Sequence, residues 1–167
     1  MDAGCRVCDD RKMSPEADAA RLVAIDQSNW RAALQVRVND EQLVLVADHQ
    51  PVALVVLSKA YVQPGGRRWE PLAYIGETGE IVAVLALAHS ADVAEVVNLA
   101  VDTKHQGKGI GMSVMIAVLG WCRAQHATSV ELTVDPANDV AMRLYDRVGF
   151  RPTGETRDGD PVWAIPL

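Results

Sequence analysis

The sequence has no uninterrupted apolar run of the ~20 residues needed to cross a bilayer. Its longest apolar stretches, such as Ile81–Ala88, have the length of buried strands. Positive charge is scarce. Sixteen Lys and Arg face 22 Asp and Glu, a formal net charge of −6 with a pI of about 5.1. That balance argues against nucleic acid as a partner, because phosphate binding needs a basic face. A cationic substrate fits it better, although mild acidity is also ordinary for a soluble protein. Cysteine is limited to Cys5, Cys8 and Cys122. An odd count with no secretory signal argues against a disulfide framework. Cys5 and Cys8 form a lone C-x-x-C, and the two further ligands a zinc site needs do not follow at close spacing. His49, His89 and His126 show no metal-ligand spacing either, so no metal is expected. Repeats, low-complexity tracts and long linkers are absent. The first residues carry Asp2, Asp9 and Asp10 around no apolar centre, so they do not read as a secretory signal, and a cytoplasmic location is expected.

What is present suits one domain. The 167 residues are 49% hydrophobic, with a mean hydropathy of +0.04, enough for one sizeable core. Met13-Ser14-Pro15 resembles an alternative start, which makes residues 1–13 an extension and 14–167 the domain. Arg21–Ile25 reads as a strand. Ser28 reads as the cap of a helix through Leu34. Val36–His49 mixes charges with β-branched residues and reads as a loop. Pro51–Val62 is a second helix, closed by Pro64-Gly65-Gly66. Leu72–Ile75 and Ile81–Ala88 flank a hairpin turn at Glu77–Glu80, and Ala94–Val101 is a further strand. Gly109–Ala124 is a third helix with two adjacent apolar stripes, and Cys122 falls in its core face. Ser129–Val134 alternates as a strand. Asn138–Val148 is a fourth helix capped by Gly149. Phe150–Thr153 and Val162–Ile165 close the chain as a hairpin. The order predicts an α/β (α+β) domain: a mixed, mostly antiparallel sheet flanked by about four helices, with one or two parallel crossovers.

The most specific stretch is Gln106-Gly107-Lys108-Gly109-Ile110-Gly111. It lies between a strand and a helix. There the first N–H groups of the helix lack intrahelical partners and the macrodipole is positive, the geometry that receives a diphosphate. Its glycines let the backbone approach phosphate oxygens. No Lys-Ser/Thr follows the last glycine, so it is not a Walker A loop, and the G-x-G-x-G spacing is not the dinucleotide fingerprint.

This stretch resembles the [RQ]-x-x-G-x-[GA] motif of the GNAT superfamily, N-acetyltransferases that use acetyl-CoA. Leu99-Ala100-Val101 resembles the strand that runs beside the pantetheine arm. Val134-x-x-x-Asn138-x-x-Ala141-x-x-Leu144-Tyr145-x-x-x-Gly149-Phe150 resembles the second signature. The likeness is good over residues 72–167 and loose over 21–61. Asn29-Trp30, Ala60-Tyr61-x-x-Pro64 and Trp69-x-Pro71-Leu72 are similar to landmarks of bacterial spermine/spermidine-type members. Val97-Asn98 departs from that subgroup, where larger aromatic or basic residues are common.

The resemblance implies transfer of acetyl from acetyl-CoA to a primary amine of a small molecule, such as a polyamine, within a ternary complex. It places Leu99, Ala100, Val101, Gln106 to Met112, Asn138, Ala141 and Tyr145 at the cofactor. Tyr145 is the implied donor to the departing sulfur, since a phenol can donate while neutral at pH 7. Asn138 reads both as a helix cap and as a CoA contact. The amine must lose a proton, because only about one alkylamine in 2,500 is unprotonated at pH 7. Glu95 is the candidate base, with Asp92 and Glu70 in reserve. Strict alternation puts Glu95, Val97, Leu99 and Val101 on one face, if no bulge intervenes. Asp40, Glu41 and Asp48 are candidates to line a cationic pocket, or else form a solvated loop. His105 reads as a surface residue of the turn. Two other functions share these residues: a non-catalytic acyl-CoA or amine-binding module, and a transferase for a peptide amine or an antibiotic. Members of the superfamily often form homodimers.

Overall fold

A computed structural model of the chain describes residues 21–47 and 49–167. The Cys5/Cys8 pair, the 1–13 extension and Asp48 lie outside the described residues. Seven strands form one sheet in the order β1-β2-β3-β4-β5-β7-β6. They are β1 (Leu22–Ala24), β2 (Arg68–Ile75), β3 (Ile81–Ser90), β4 (Val93–Val101), β5 (Ser129–Thr133), β6 (Arg151–Arg157) and β7 (Asp160–Pro166). The described helices are α1 (Trp30–Ala33), α2 (Asp40–Val46), α3 (Val52–Val62), α4 (Ile110–Ala124) and α5 (Asp139–Val148). All neighbouring strands are antiparallel except β4 and β5, which are parallel and joined through α4. This is the mixed α/β sheet that the element order predicts.

The sheet separates two apolar layers. On one side Leu72, Leu85, Leu87 and Val96 pack with Val114, Met115 and Val118 of α4. On the other, Ala73, Val84, Ala86 and Ala100 pack with Val52, Ala53 and Val56 of α3. Alternation along β2 and β3 sends neighbouring residues to opposite layers, which explains why Leu72–Ile75 and Ile81–Ala88 are apolar without interruption. Cys122 is fully buried in the first layer, and burial pushes its thiol up to about 12.

Three expectations are corrected. Residues 36–49 do not form only a loop: α2 begins with a capping box, in which Asn39 Oδ1 accepts from the Gln42 N–H at 2.8 Å. Ser28 does not cap the first helix. Its N–H and hydroxyl donate to Asp26 Oδ1 at 2.8 and 2.6 Å, and the cap position passes to Asn29. Third, β4 is not a regular strand. Val84 pairs with Ala100 and Ala86 with Val97, so Leu85 faces both Asn98 and Leu99. The extra residue is a β-bulge, and Asn98 sits at φ +53°, a conformation asparagine tolerates better than most residues. The bulge reverses the facing of the rest of the strand. Leu99 and Val101 join the α4 layer, while Val97 and Ala100 belong to the α3 layer. Glu95, Val97, Leu99 and Val101 therefore do not share a face.

Candidate active site

The bulge opens the sheet. β4 pairs with β5 only from Val93 to Val96; beyond that the parallel strands part. The gap is a cleft of about 620 Å³. Val97, Asn98 and Leu99 of β4 form one wall, and Thr133, Val134 and Asp135 at the end of β5 form the other. Leu45 and Val46 of α2 and Lys59 of α3 close it from one side, and Asn138, Ala141 and Tyr145 from the other.

Asn98 ties these parts together. Its amide donates to the Val46 carbonyl, and its Oδ1 accepts from Lys59 Nζ at 2.7 Å. The bulge is thereby fastened to the ends of two helices. Tyr145 lines the cleft at 8% exposure, with its ring 6.0 Å from that of Phe150. Burial pushes its hydroxyl up to about 12, so at neutral pH the group is a neutral donor. Asn138 caps α5: its Oδ1 accepts from the Ala141 N–H at 3.1 Å, as the sequence predicts.

Glu95 also lines the cleft, at 6% exposure. Each of its oxygens faces a guanidinium. Oε2 pairs with Arg67, and Oε1 lies 2.8 Å from Arg157 Nη1. Arg157 Nη2 donates to Glu131 Oε2 at 2.8 Å. Trp69 underlies the cationic side. Its centroid is 5.0 Å from the Arg67 guanidinium and 5.5 Å from Lys59 Nζ. Its indole N–H donates to the Pro64 carbonyl at 3.0 Å.

The glycine turn lies outside the cleft lining, at the N-terminus of α4. Gly107 and Gly109 have φ of +72° and +80°, and nothing lies within 4 Å of a Cβ at either. Their need for glycine is conformational, and the space above them is open, as approach of a diphosphate requires. Gly111 serves packing instead. A Cβ there would meet Leu144 Cδ2 at 3.0 Å, so its absence permits close approach of α4 to α5. Ile110 packs on the α4 layer, and Met112 is half-buried in the first helical turn. The Gln106 side chain is a brace. It exchanges hydrogen bonds with Gln42 at 2.8 and 3.0 Å and donates to the Val101 carbonyl at 2.8 Å. Lys108 Nζ donates to the Lys104 carbonyl at 2.9 Å. Asp102 anchors the turn from below, accepting from the N–H groups of Arg37 and Lys104 at 3.0 Å each. Burial works to raise its pKa, but those N–H groups together with His105 outweigh it and hold the carboxyl below the usual range. His105 is half-buried rather than free on the surface, 3.2 Å from Glu80 Oε1 and 3.5 Å from Asp102 Oδ1.

The remaining candidates fall elsewhere. Asp92 accepts from the Thr128 hydroxyl at 2.8 Å. Glu70 accepts from Trp121 and Gln125 at 3.1 Å each, on the α4 side. Asp40 and Glu41 are exposed in the first turn of α2 and outside the cleft lining. Arg67, Arg157 and Asp102 were not singled out from sequence. Arg67 and Arg157 meet Glu95 only once the sheet has formed, and Asp102 meets the Arg37 N–H 65 residues away; an isolated Arg or Asp leaves no local signal of such contacts.

The family model described as acetyltransferase (GNAT) matches residues 14–150. A mycothiol acetyltransferase of Streptosporangium roseum is 41% identical over 58 residues, 35% of this chain and 17% of that protein. A [ribosomal protein bS18]-alanine N-acetyltransferase of Haemophilus ducreyi is 32% identical over 85 residues, 51% of this chain and 58% of the relative. The chain thus spans less than two thirds of both relatives. The crystal structure of spermidine N-acetyltransferase from Vibrio cholerae, in complex with CoA and spermine, superposes with a TM-score of 0.65 at 16% identity, over 88% of this chain and 96% of that one. At that identity the likeness is one of fold.

Proposed function

The chain belongs to the acetyltransferase (GNAT) family, and from that premise we propose that it transfers acetyl from acetyl-CoA to a primary amine in a ternary complex. The observation that carries this reading is Tyr145, a buried and protonated phenol in a cleft that the bulge opens between two parallel strands. In this reading the glycine turn and the N-terminus of α4 receive the diphosphate. Leu99, Ala100 and Val101 run beside the pantetheine, and Asn138 and Ala141 border it.

The amine nitrogen attacks the thioester carbonyl carbon, a C–N bond forms and the C–S bond breaks. Tyr145 donates its hydroxyl proton to the departing sulfur and regains one from solvent. Glu95 accepts the proton released by the amine, through water, while Arg67 and Arg157 hold its carboxylate in place. The balance is one ammonium and one acetyl-CoA consumed, and one amide, one CoA thiol and one proton produced. The reaction takes place in the cytoplasm.

A polyamine is the narrower reading of the acceptor, supported by the tryptophan and proline landmarks. Of these, Trp69 and Pro64 reach the cleft, whereas Tyr61 is 92% exposed and Trp30 stacks with Arg31 at 4.4 Å. The H. ducreyi relative is named for a protein alanine, which favours a peptide amine as the second reading.

Calorimetry tests the cofactor half of the proposal. Acetyl-CoA is expected to bind the native chain, and Gly109→Asp to weaken it about tenfold or more through charge repulsion at the helix N-terminus. Gly109→Asn, which tolerates the same φ without charge, is expected to bind more tightly than Gly109→Asp. Equal affinity in all three would remove the diphosphate from this turn.

A further inference from the structure

The charges of the cleft are sorted by side. Lys59 and Arg67 stand over the face of Trp69 on the α3–β2 side. Asp135, Asp158 and Asp160 stand on the opposite side, at the end of β5 and in the β6–β7 turn. These acids are neighbours because Thr133 pairs with Val162 and the Val134 N–H donates to the Pro161 carbonyl at 3.3 Å. Among the described residues lining the cleft, Arg157 is the cation on the acidic side, and both of its Nη atoms are engaged, by Glu95 and Glu131. Glu95 bridges the two sides with each oxygen already against a guanidinium. An incoming ammonium would meet there a carboxylate flanked by two cations, so Glu95 is a poor direct seat for ammonium and reaches the amine only through water. The acidic side, which also carries Asn138 and Tyr145, is a better one.

Arg67 differs from Arg157. Its contacts among the described residues are one Glu95 oxygen, through Nη1, and the Trp69 ring. A guanidinium has five N–H donors in a rigid plane. Stacked on an aromatic face and held along one edge, it loses little freedom when a second planar anion meets its other edge.

Resting on the acetyltransferase reading, we infer that the acceptor is a zwitterion, an amine that also carries a carboxylate. The carboxylate is taken by Arg67, and the ammonium lies toward Asp135, Asp158 and Asp160, on the side where Tyr145 waits. A polyamine, with several ammoniums and no anion, leaves Arg67 unused and places positive charge against Lys59 and Arg67.

The test is equilibrium binding to the CoA-saturated protein, measured by calorimetry with amines matched except for the carboxylate. Suitable pairs are alanine with ethylamine, phenylalanine with phenethylamine and lysine with cadaverine. Alanyl-alanine and spermidine complete the panel. At least one carboxylated amine is expected to bind about tenfold or more tightly than its partner, the scale of a charge-assisted bidentate contact. Arg67→Gln is expected to abolish the difference, and Arg67→Lys, which keeps the charge and loses the fork, to restore part of it. CoA affinity and melting temperature report whether each variant is folded. The inference is overturned if no carboxylated amine binds, if cadaverine or spermidine binds as tightly, or if the preference survives Arg67→Gln. Because this readout needs no turnover, its failure is separable from failure of the parent reading, in which no amine would release thiol from acetyl-CoA.

Discussion

At the scale of single residues the proposed chemistry rests on Tyr145 as donor and Glu95 as base, both of which line the cleft. Burial keeps the phenol protonated, with its pKa pushed up to about 12. Tyr145→Phe is therefore expected to lower kcat on the order of a hundredfold, the usual worth of a positioned acid, and to leave acetyl-CoA affinity nearly unchanged. The pH profile of acetyl transfer by the native chain is expected to show no tyrosine limb from pH ~7 to ~10. Glu95→Gln is expected to lower kcat about tenfold or more without weakening CoA. Unchanged kcat in the first variant would remove the donor role, and in the second would assign the amine proton to solvent. The sequence names both as candidates, Tyr145 from the Asn138–Phe150 signature and Glu95 from its place on the strand before the glycine turn, and both line the cleft. Their surroundings were not legible in the sequence. Nothing near Glu95 in the chain announces Arg67, which is 28 residues away, or Arg157 on the last hairpin.

The β4 bulge is the element on which the cleft depends. Asn98 tolerates its left-handed φ and ties β4 to α2 and α3. Asn98→Ala should cost about 2 kcal/mol, roughly half from the left-handed backbone and half from the lost hydrogen bonds. Asn98→Gly relieves the backbone portion only. The prediction is a lower melting temperature and a raised KM for the amine in both, with the alanine variant the less stable. Equal stability in native and Asn98→Ala protein would contradict it. Strand assignment alone could not find this bulge, because an extra residue within an apolar run leaves the period-two pattern plausible on either side. An asparagine inside a strand was the available sign. Helix α2 was missed for a similar reason. Its seven residues carry no buried stripe, yet Asn39-x-x-Gln42 is a readable capping box. The glycine turn and α4 were legible because local rules govern them, a left-handed cap followed by a broad apolar face.

Across the whole molecule, β2, β3 and α4 meet at a half-buried polar cluster outside the cleft lining. Glu70 Oε2 lies 3.1 Å from His89 Nε2 and accepts from Trp121 and Gln125 at the same distance. Burial lowers the His89 pKa below its ordinary 6.5, more than the Glu70 charge raises it. The folded protein therefore binds this proton less readily than the unfolded chain. The stabilisation is full above about pH 6.5 and is lost as pH falls through the folded pKa. Melting temperature should decline from pH 7 to 5, and His89→Gln should flatten the decline; parallel curves would exclude His89 as a source. The central claim concerns the cleft and is tested most directly by release of free CoA thiol from acetyl-CoA across a panel of amines, amino acids and short peptides. Release is expected to be stimulated by an amine acceptor and abolished when that amine is omitted. Tight acetyl-CoA binding with no release by any amine would contradict transfer and leave a protein that binds acyl-CoA without turning it over.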